Sequence, residues 1–266
     1  MARQKPDRKK LMIRLIAIVL VALLIGGVIF SSIITLAYAD ELDGKTDLTM
    51  TVDEAIGGAY VRQQTAYVNR TGAPLTQVRF SINLNALRRA ETTPVEPQDF
   101  SDAYPAGFTP GGVELFEVMV DGVPANWGVQ GEDEAVVRVD CDIAPGACAQ
   151  FSFGYELLLP KARTFSGIDE MGWRLAFFYF QPVHYEQALE QFSSIALTPV
   201  GSAMYFDPQS VTLALDVPDT YLVASGGAQE VSGGAIGRKV ITIKWKDARD
   251  VALALSRRYA VNERPG

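Results

Sequence analysis

Apolar and polar residues alternate over most of this chain. In the clearest case, Val78, Phe80 and Ile82 occupy every second position, which is the pattern of a strand with one buried face. The same period predicts further strands at residues 48–52, 60–68, 113–120, 123–129, 135–139, 150–159, 173–180, 210–217, 221–224, 240–245 and 250–256. Because no long amphipathic helix interrupts them, we predict an all-β domain of sandwich or saddle-like architecture over residues 48–262.

Turn signals separate these segments. Asp121-Gly122 is a preferred two-residue hairpin turn, and Gly- or Asn-containing stretches predict further hairpin turns at residues 69–72, 145–146, 226–227 and 233–234. Asn69 also begins a glycosylation sequon, but beside Gly72 we interpret it as a turn residue.

Two stretches depart from the strand pattern. Residues 85–112 form a Pro- and Gly-rich insertion of the kind found in surface or functional loops. A single helical turn is predicted at its start, over residues 85–91, and a short helix over residues 183–192.

An uninterrupted apolar segment precedes the domain. Residues 15–39 contain no charged side chain, and a helix of this length crosses the roughly 30 Å apolar core of a bilayer. Residues 1–14 carry six basic side chains and one acidic side chain, so the positive-inside rule predicts a cytoplasmic N-terminus. We therefore predict a single-pass protein of the cell membrane, with a linker at residues 40–47 and an extracytoplasmic main domain. Residues 37–39 (A-Y-A) fit a cleavage site, which leaves a cleaved signal peptide as the alternative.

The main domain is acidic. The chain has 24 basic and 31 acidic residues. When the six basic residues and the one acidic residue of positions 1–14 are subtracted, 18 basic and 30 acidic residues remain, which gives a net charge of −12. Nucleic-acid binding requires clustered Lys and Arg on the domain surface. The composition therefore argues against a nucleic-acid partner.

Cys141 and Cys148 flank the turn at residues 145–146. If the segments on either side form a hairpin, the two Cβ atoms face each other, as a disulfide requires. An extracytoplasmic compartment would preserve that bond, so we predict a Cys141–Cys148 disulfide. The alternative is a pair of small buried residues without a bond.

The sequence offers little for catalysis. His184 is the only histidine, so the chain contains neither a two-histidine zinc site nor the H-E-x-x-H motif. No G-x-S-x-G elbow accompanies it, and we interpret His184 as a surface or packing residue. The glycine pairs at 226–227 and 233–234 do not open a helix, so they do not fit a phosphate-binding loop. We predict no catalytic residue, no cofactor and no metal ligand.

Two further clusters are interpreted structurally. Residues 132–134, Asp140 and Asp142 are acidic, but their spacing fits no calcium loop, and we expect a solvated rim. Aromatic residues at 173 and 177–180 either pack both faces of a buried sheet or line a groove; we favour the buried sheet.

Several short motifs follow one another in a recognisable order, including Y-V-N-R-T-G-A-P-L at residues 67–75, G-F-T-P-G-G-V-E at 107–114 and R-D-V-A at 249–252. Their order resembles that of the N-terminal domain of aminopeptidase-N-type zinc metallopeptidases. The resemblance covers most of residues 48–262 and implies a β-saddle domain. Family members continue into a catalytic domain with H-E-x-x-H and G-x-M-E-N, and neither motif occurs here.

What the resemblance implies about function is therefore narrow. No catalytic or metal-binding residue of the family is matched, and Gln181 is the one candidate for a peptide contact. We expect a non-catalytic module that binds a protein or peptide partner or serves in assembly. The alternative is one half of a split aminopeptidase, completed by a separate chain that carries H-E-x-x-H.

Overall fold

The computed structural model describes residues 44–193 and 206–260, and these residues form mostly β-strands. In the first part they are β1 (Lys45–Asp53), β2 (Gly58–Val68), β3 (Leu75–Ser81), β4 (Gly112–Val120), β5 (Val123–Pro124), β6 (Trp127–Gln130), β7 (Val136–Ile143), β8 (Cys148–Leu158), β9 (Gly167–Asp169), β10 (Gly172–Ala176), β11 (Gln181–Pro182), β12 (Tyr185–Glu186) and β13 (Gln191–Phe192). In the second part they are β14 (Gln209–Pro218), β15 (Leu222–Ser225), β16 (Ala228–Gly233), β17 (Arg238–Ala248) and β18 (Ala252–Ser256). The all-β prediction is confirmed.

The strands form three larger sheets and one small hairpin. The central sheet has the order β16-β17-β14-β1-β2-β8-β4-β5, the second sheet β11-β3-β7-β6 and the third sheet β15-β18-β10-β9, while β12 pairs with β13. β1 runs parallel to β14, and the other pairings are antiparallel. β1 begins at Lys45, inside the segment predicted as a linker.

One hydrophobic core joins the three larger sheets. The predicted alternation places Leu48, Met50 and Val52 of β1 inward, each at most 3% exposed. Phe80 of the second sheet packs on Phe151 of the central sheet with ring centroids 4.9 Å apart. Each fully buried side chain of this size contributes about 1.5–3 kcal/mol, so contacts between the sheets carry much of the stability.

Several predicted hairpins are wrong because the chain changes sheets at the turn. Residues 69–72 lead from β2 in the central sheet to β3 in the second, and residues 144–147 lead back from β7 to β8. Residues 226–227 connect the third sheet to the central one. The hairpins at Asp121-Gly122 and at residues 233–234 are confirmed by the β4–β5 and β16–β17 pairs.

The aromatic segment is not one continuous strand. β10 ends at Ala176, and Phe177 has φ of 53°, a left-handed conformation that strands do not use. Phe178, Tyr179 and Phe180 follow, each with 0% exposure. The segment fills the core, as favoured.

Helical structure is sparse among the described residues. A 3₁₀ helix spans Asn83–Arg88, which confirms the predicted helical turn within a few residues. The insertion that follows contains a further 3₁₀ turn (Pro97–Asp99) and one short helix, α1 (Phe100–Ala103). The helix predicted over residues 183–192 is wrong, because β12 and β13 form a hairpin there.

The predicted membrane segment at residues 15–39 lies outside the described residues, as do residues 1–14. Within the described ranges, no helix has the length and apolar character that a membrane span requires.

Candidate functional site

Gln181, the candidate peptide contact, lies in the interior. Its side chain is 2% exposed, and its Nε2 donates to the Tyr179 hydroxyl and to the Arg249 carbonyl, both at 2.9 Å. In this position Gln181 ties β11 to the segment before β18. Its contacts are those of a structural residue, and they give no support to a peptide contact.

The two cysteines lie on different sheets. Cys141 is on β7 of the second sheet, where its Sγ approaches the Leu75 carbonyl at 3.7 Å. Cys148 begins β8 of the central sheet, where it pairs with Val68. Both side chains are thiols in the structure. Because β7 and β8 do not form a hairpin, the geometry gives no support to the predicted disulfide.

The Cys141 thiol is also electrostatically disfavoured as a nucleophile. Burial, and to a smaller extent the neighbouring carboxylates of Asp140 and Asp142, raise the pKa of Cys141 to about 11. Since the thiolate is the reactive form, Cys141 reacts slowly at neutral pH. Asp140 and Asp142 therefore disfavour the thiolate form of Cys141. Among the described residues, no group of three His, Cys, Asp or Glu side chains is placed to hold a metal ion.

His184 lies in a cleft of about 290 Å³ at one end of the sandwich. Its Nδ1 lies 2.9 Å from Asp207 Oδ1, and the histidine side chain is 28% exposed. Tyr67, Arg70 and Thr71 also line this histidine cleft. The hydroxyl of Thr71 is bonded to Asn69 Oδ1 at 2.7 Å and to the Ala73 carbonyl at 2.8 Å, so it is held as a turn residue and is not presented to the imidazole.

A row of buried polar side chains crosses the inner face of the central sheet, and one of its members, Gln209, also lines this cleft. Thr46 Oγ1 donates to Gln209 Oε1 at 3.2 Å and lies 3.0 Å from Thr65 Oγ1. Gln63 Nε2 donates to Thr65 Oγ1 at 2.8 Å and to the Phe180 carbonyl at 2.6 Å. Sequence reasoning missed this row. The available signal was the inward phase of β2, which Gln63 and Thr65 share with Val61.

A second cavity, of about 180 Å³, opens at the side of the sandwich between β4 and β6. We call it the edge groove. Its apolar lining consists of Val113 and Leu115 from the central sheet, Trp127, Val129 and Val137 from the second sheet, and Ile82 and Phe180 at its base. Trp127 and Val129 are 39% and 46% exposed. The groove is therefore open to solvent at these two side chains, while Ile82 and Phe180 at its base are buried.

Charged side chains stand at the mouth of the edge groove. Arg88 Nη1 lies 3.1 Å from Glu114 Oε1 and 3.8 Å from Glu134 Oε2, and its Nη2 donates to the Val113 carbonyl. The groove combines an apolar interior with a charged rim. That combination is typical of binding sites rather than of core defects.

Asn85 fixes the width of the edge groove. Its side chain is 4% exposed; Nδ2 donates to the Glu134 carbonyl and Oδ1 accepts from the Val113 amide, both at 2.8 Å. One amide therefore connects the turn before β7 to the start of β4, and these are the two walls of the groove. Sequence reasoning placed this residue only in a helical turn.

Comparison with known proteins gives only distant similarity. No protein-family model matches the chain, and no curated protein matches it. Among solved structures, it is similar to a mutant M1 zinc metallopeptidase from Deinococcus radiodurans bound to a Tyr-Ser-Ala substrate, with 13% identity and a TM-score of 0.46. It is also similar to an M1 zinc metallopeptidase from the same organism, with 12% identity and a TM-score of 0.44. A two-domain M1 zinc metallopeptidase mutant bound to L-tryptophan has 15% identity and a TM-score of 0.44.

The extent of these matches is also limited. Each covers 80% of this chain but 42% of the matched protein, so the chain spans less than half the length of those enzymes. At this level of similarity, the function of the chain has to be argued from its own residues.

Proposed function

We propose that this chain is a membrane-anchored, extracytoplasmic β-domain without catalysis of its own, which binds a protein or peptide partner. The observation that carries the proposal is the edge groove, where the apolar interior of the sandwich opens beside a strand at the end of its sheet. Exposed apolar surface rimmed by polar groups marks interaction sites on folded domains. The apolar segment at residues 15–39 supports the anchor, and the basic residues before it support the orientation.

Partner capture tests the binding function. The full chain, expressed with an affinity tag in its own membrane, is crosslinked, extracted in detergent and purified. A matched control carries only residues 1–44, so that proteins held by the tail and apolar segment are subtracted. We expect the full chain to retain a specific partner that the control lacks. The absence of any such difference would overturn the binding function.

The orientation is tested separately. Protease added to intact cells is expected to degrade residues 44–260 while a tag at residue 1 stays protected. Protection of the main domain in intact cells would contradict the extracytoplasmic placement.

The non-catalytic assignment has its own measurement. The purified chain is expected to show neither stoichiometric zinc nor aminopeptidase turnover. Either finding would overturn the assignment.

A second candidate function follows from the ordered motifs that resemble the aminopeptidase N-terminal domain. In this case the chain is the non-catalytic half of a split zinc aminopeptidase. Recovery of a partner chain with H-E-x-x-H, together with zinc-dependent aminopeptidase activity in the purified pair, would favour this function. A captured partner without that motif would exclude it.

A further inference from the structure

The edge groove lies beside a strand at the end of its sheet. β6 ends the second sheet, and its in-register pairing with β7 runs from Trp127↔Val139 to Gln130↔Val136. No strand within the described residues lies on its other side. An open strand edge offers backbone amides and carbonyls to an incoming extended chain.

The side chains of β6 indicate where an added strand would place its side chains. Trp127 and Val129, two residues apart, face the groove together with Leu115 on the opposite wall. Residues alternate between the two faces of a strand, so an added strand would direct every second side chain toward this opening. A cavity of about 150 Å³ accommodates benzene, and the 180 Å³ of the groove therefore suits one side chain of leucine or phenylalanine size.

The charged side chains that line the groove favour particular residues on either side of the inserted side chain. Glu114 and Glu134, the latter in the turn of residues 132–134, supply two carboxylates, while Arg88 supplies one guanidinium group. Arg88 is engaged by Glu114 and Glu134, and Arg89 donates to the Glu132 carbonyl. The excess charge is negative, so basic residues are favoured next to the anchor.

The groove is held in its open form before any ligand arrives. Asn85 bonds to both walls. The turn that carries the acidic residues is fixed to the sandwich, because the Ile82 amide donates to the Ala135 carbonyl at 2.7 Å. Preorganisation of this kind lowers the entropic cost of binding.

From these observations we infer that the edge groove binds an extended polypeptide segment, which adds to β6 as a strand, inserts one apolar side chain between Leu115 and Val129, and carries basic residues on either side. This inference rests on the proposed binding function and adds the site and the chemical class of the partner.

Synthetic peptides test the inference directly. The probe is an acetylated, amidated peptide of sequence K-V-T-L-T-V-K, titrated into the full chain purified in detergent and monitored by tryptophan fluorescence, since Trp127 lines the groove. We expect saturable binding that weakens with added salt. We also expect about tenfold weaker binding for E-V-T-L-T-V-E, and a similar loss for K-V-T-P-T-V-K, because proline removes a donor from the added strand.

A matched pair of variants locates the site. Val129→Asp places a charge in the apolar wall, and we expect about a tenfold loss of affinity for the cationic peptide. Val231→Asp makes the same change on β16, an edge strand of the central sheet where the valine is 63% exposed, and should leave binding unchanged. Thermal unfolding of both variants checks that they fold.

The outcomes separate the two proposals. No saturable binding of the cationic peptide, equal binding of the acidic one, or equal loss in both variants would overturn the inference. If crosslinking in the membrane captures the same partner with Val129→Asp as with the wild type, the binding function stands and the edge groove is not its site. If the full chain captures no partner at all, the binding function itself fails.

Discussion

The Asn69 side chain stabilises the two connections by which the chain passes between the central and second sheets. Its amide is fully buried; Nδ2 donates to the Ala73 carbonyl at 2.9 Å and to the Ile143 carbonyl at 2.8 Å, while Oδ1 accepts from the backbone and hydroxyl of Thr71. Its own backbone bonds to Gly146 and Ala147. These contacts confirm the interpretation of Asn69 as a turn residue. They also occupy the amide that a glycan would need, so the sequon is structural.

Replacing Asn69 tests this role. Asn69→Ala leaves the Ala73 and Ile143 carbonyls without their donor, and each buried unsatisfied group costs about 1–3 kcal/mol. We expect the free energy of unfolding, measured by urea denaturation, to fall by about 2–4 kcal/mol. The control is Asn126→Ala on the exposed surface, which should change stability by less than about 0.5 kcal/mol. Equal effects would contradict the role.

Asp250 places a carboxylate where the fold disfavours its charge. Burial raises the pKa of Asp250 to about 6 from an ordinary value of 3.8, against the opposing effect of the Val251 and Phe177 backbone amides. Its Oδ1 is buried and has no hydrogen-bond partner among the described residues. Between about pH 4 and pH 6 the folded state therefore binds more protons than the unfolded state. Stability must fall as pH rises through that window and remain lower above it.

Asp250→Asn should remove this pH dependence. The difference between 3.8 and about 6 corresponds to roughly 3 kcal/mol, so we expect the variant to be more stable than the wild type by up to that amount at neutral pH. Near pH 4 the two should be similar. Urea midpoints at several pH values measure the difference. Asp102→Asn, on the exposed insertion, should keep the wild-type profile, and the same profile for all three proteins would contradict the assignment.

The conformation of the β4–β5 hairpin follows from its local sequence alone. Asp121 and Gly122 have φ of 51° and 78°, and positive φ at both central positions is the conformation of a type I′ turn. The strands pair directly on either side, with Val120 opposite Val123. The turn at residues 69–72 has similar composition but leads to another sheet, because β2 is already paired with β1 and β8.

A pair of glycine substitutions separates backbone conformation from packing. A Cβ at Gly122 or at Gly226 would meet no atom within 4 Å, but only Gly122 has positive φ, at 78°. Gly122→Ala should therefore cost about 1–2 kcal/mol of unfolding free energy, whereas Gly226→Ala should be neutral or slightly stabilising. Thermal or urea unfolding measures both. A similar change in the two variants would show that the left-handed conformation is not the cause.

At the scale of the molecule, Phe180 lies where the layers meet. Its ring stacks on Phe153 at 4.5 Å and meets Tyr155 edge-on at 5.0 Å. Its backbone amide donates to Gln63 Oε1 at 2.9 Å, and its carbonyl accepts from Gln63 Nε2. The segment before β11 is thus fastened to the central sheet by both packing and hydrogen bonds.

Phe180→Ala should destabilise the whole domain at once. A buried Phe→Ala change typically costs about 3–5 kcal/mol, and we expect unfolding to remain a single transition because one core joins the sheets. Trp127, Trp173 and Trp245 lie on the second, third and central sheets, so tryptophan fluorescence and far-UV circular dichroism should report the same midpoint. Phe116→Ala, at a side chain that is 60% exposed, should cost less than about 1 kcal/mol. Separate transitions would contradict a shared core.

The residues of the candidate site were mostly out of reach of sequence reasoning. Val129 and Leu115 fall in predicted strands, but their strands belong to different sheets, and nothing in the local pattern states which sheets face each other. The structure gives no support to the predicted Cys141–Cys148 disulfide for the same reason, since the two cysteines lie on strands of different sheets. Gln181 was singled out from the resemblance, and its buried position became visible only once β11 and Arg249 were placed together.

By itself, the sequence determined the all-β class, most strand positions, the inward phase of clearly alternating strands such as β1 and β3, and the β4–β5 turn, because alternation and turn chemistry act over a few neighbouring residues. Only the tertiary structure decided which strands pair, where the chain crosses between sheets and where the sandwich stays open at β6. Those features depend on contacts between residues far apart in the chain, such as Asn85 with Glu134, and the burial of side chains from several sheets in one core selects among the pairings that local patterns allow equally.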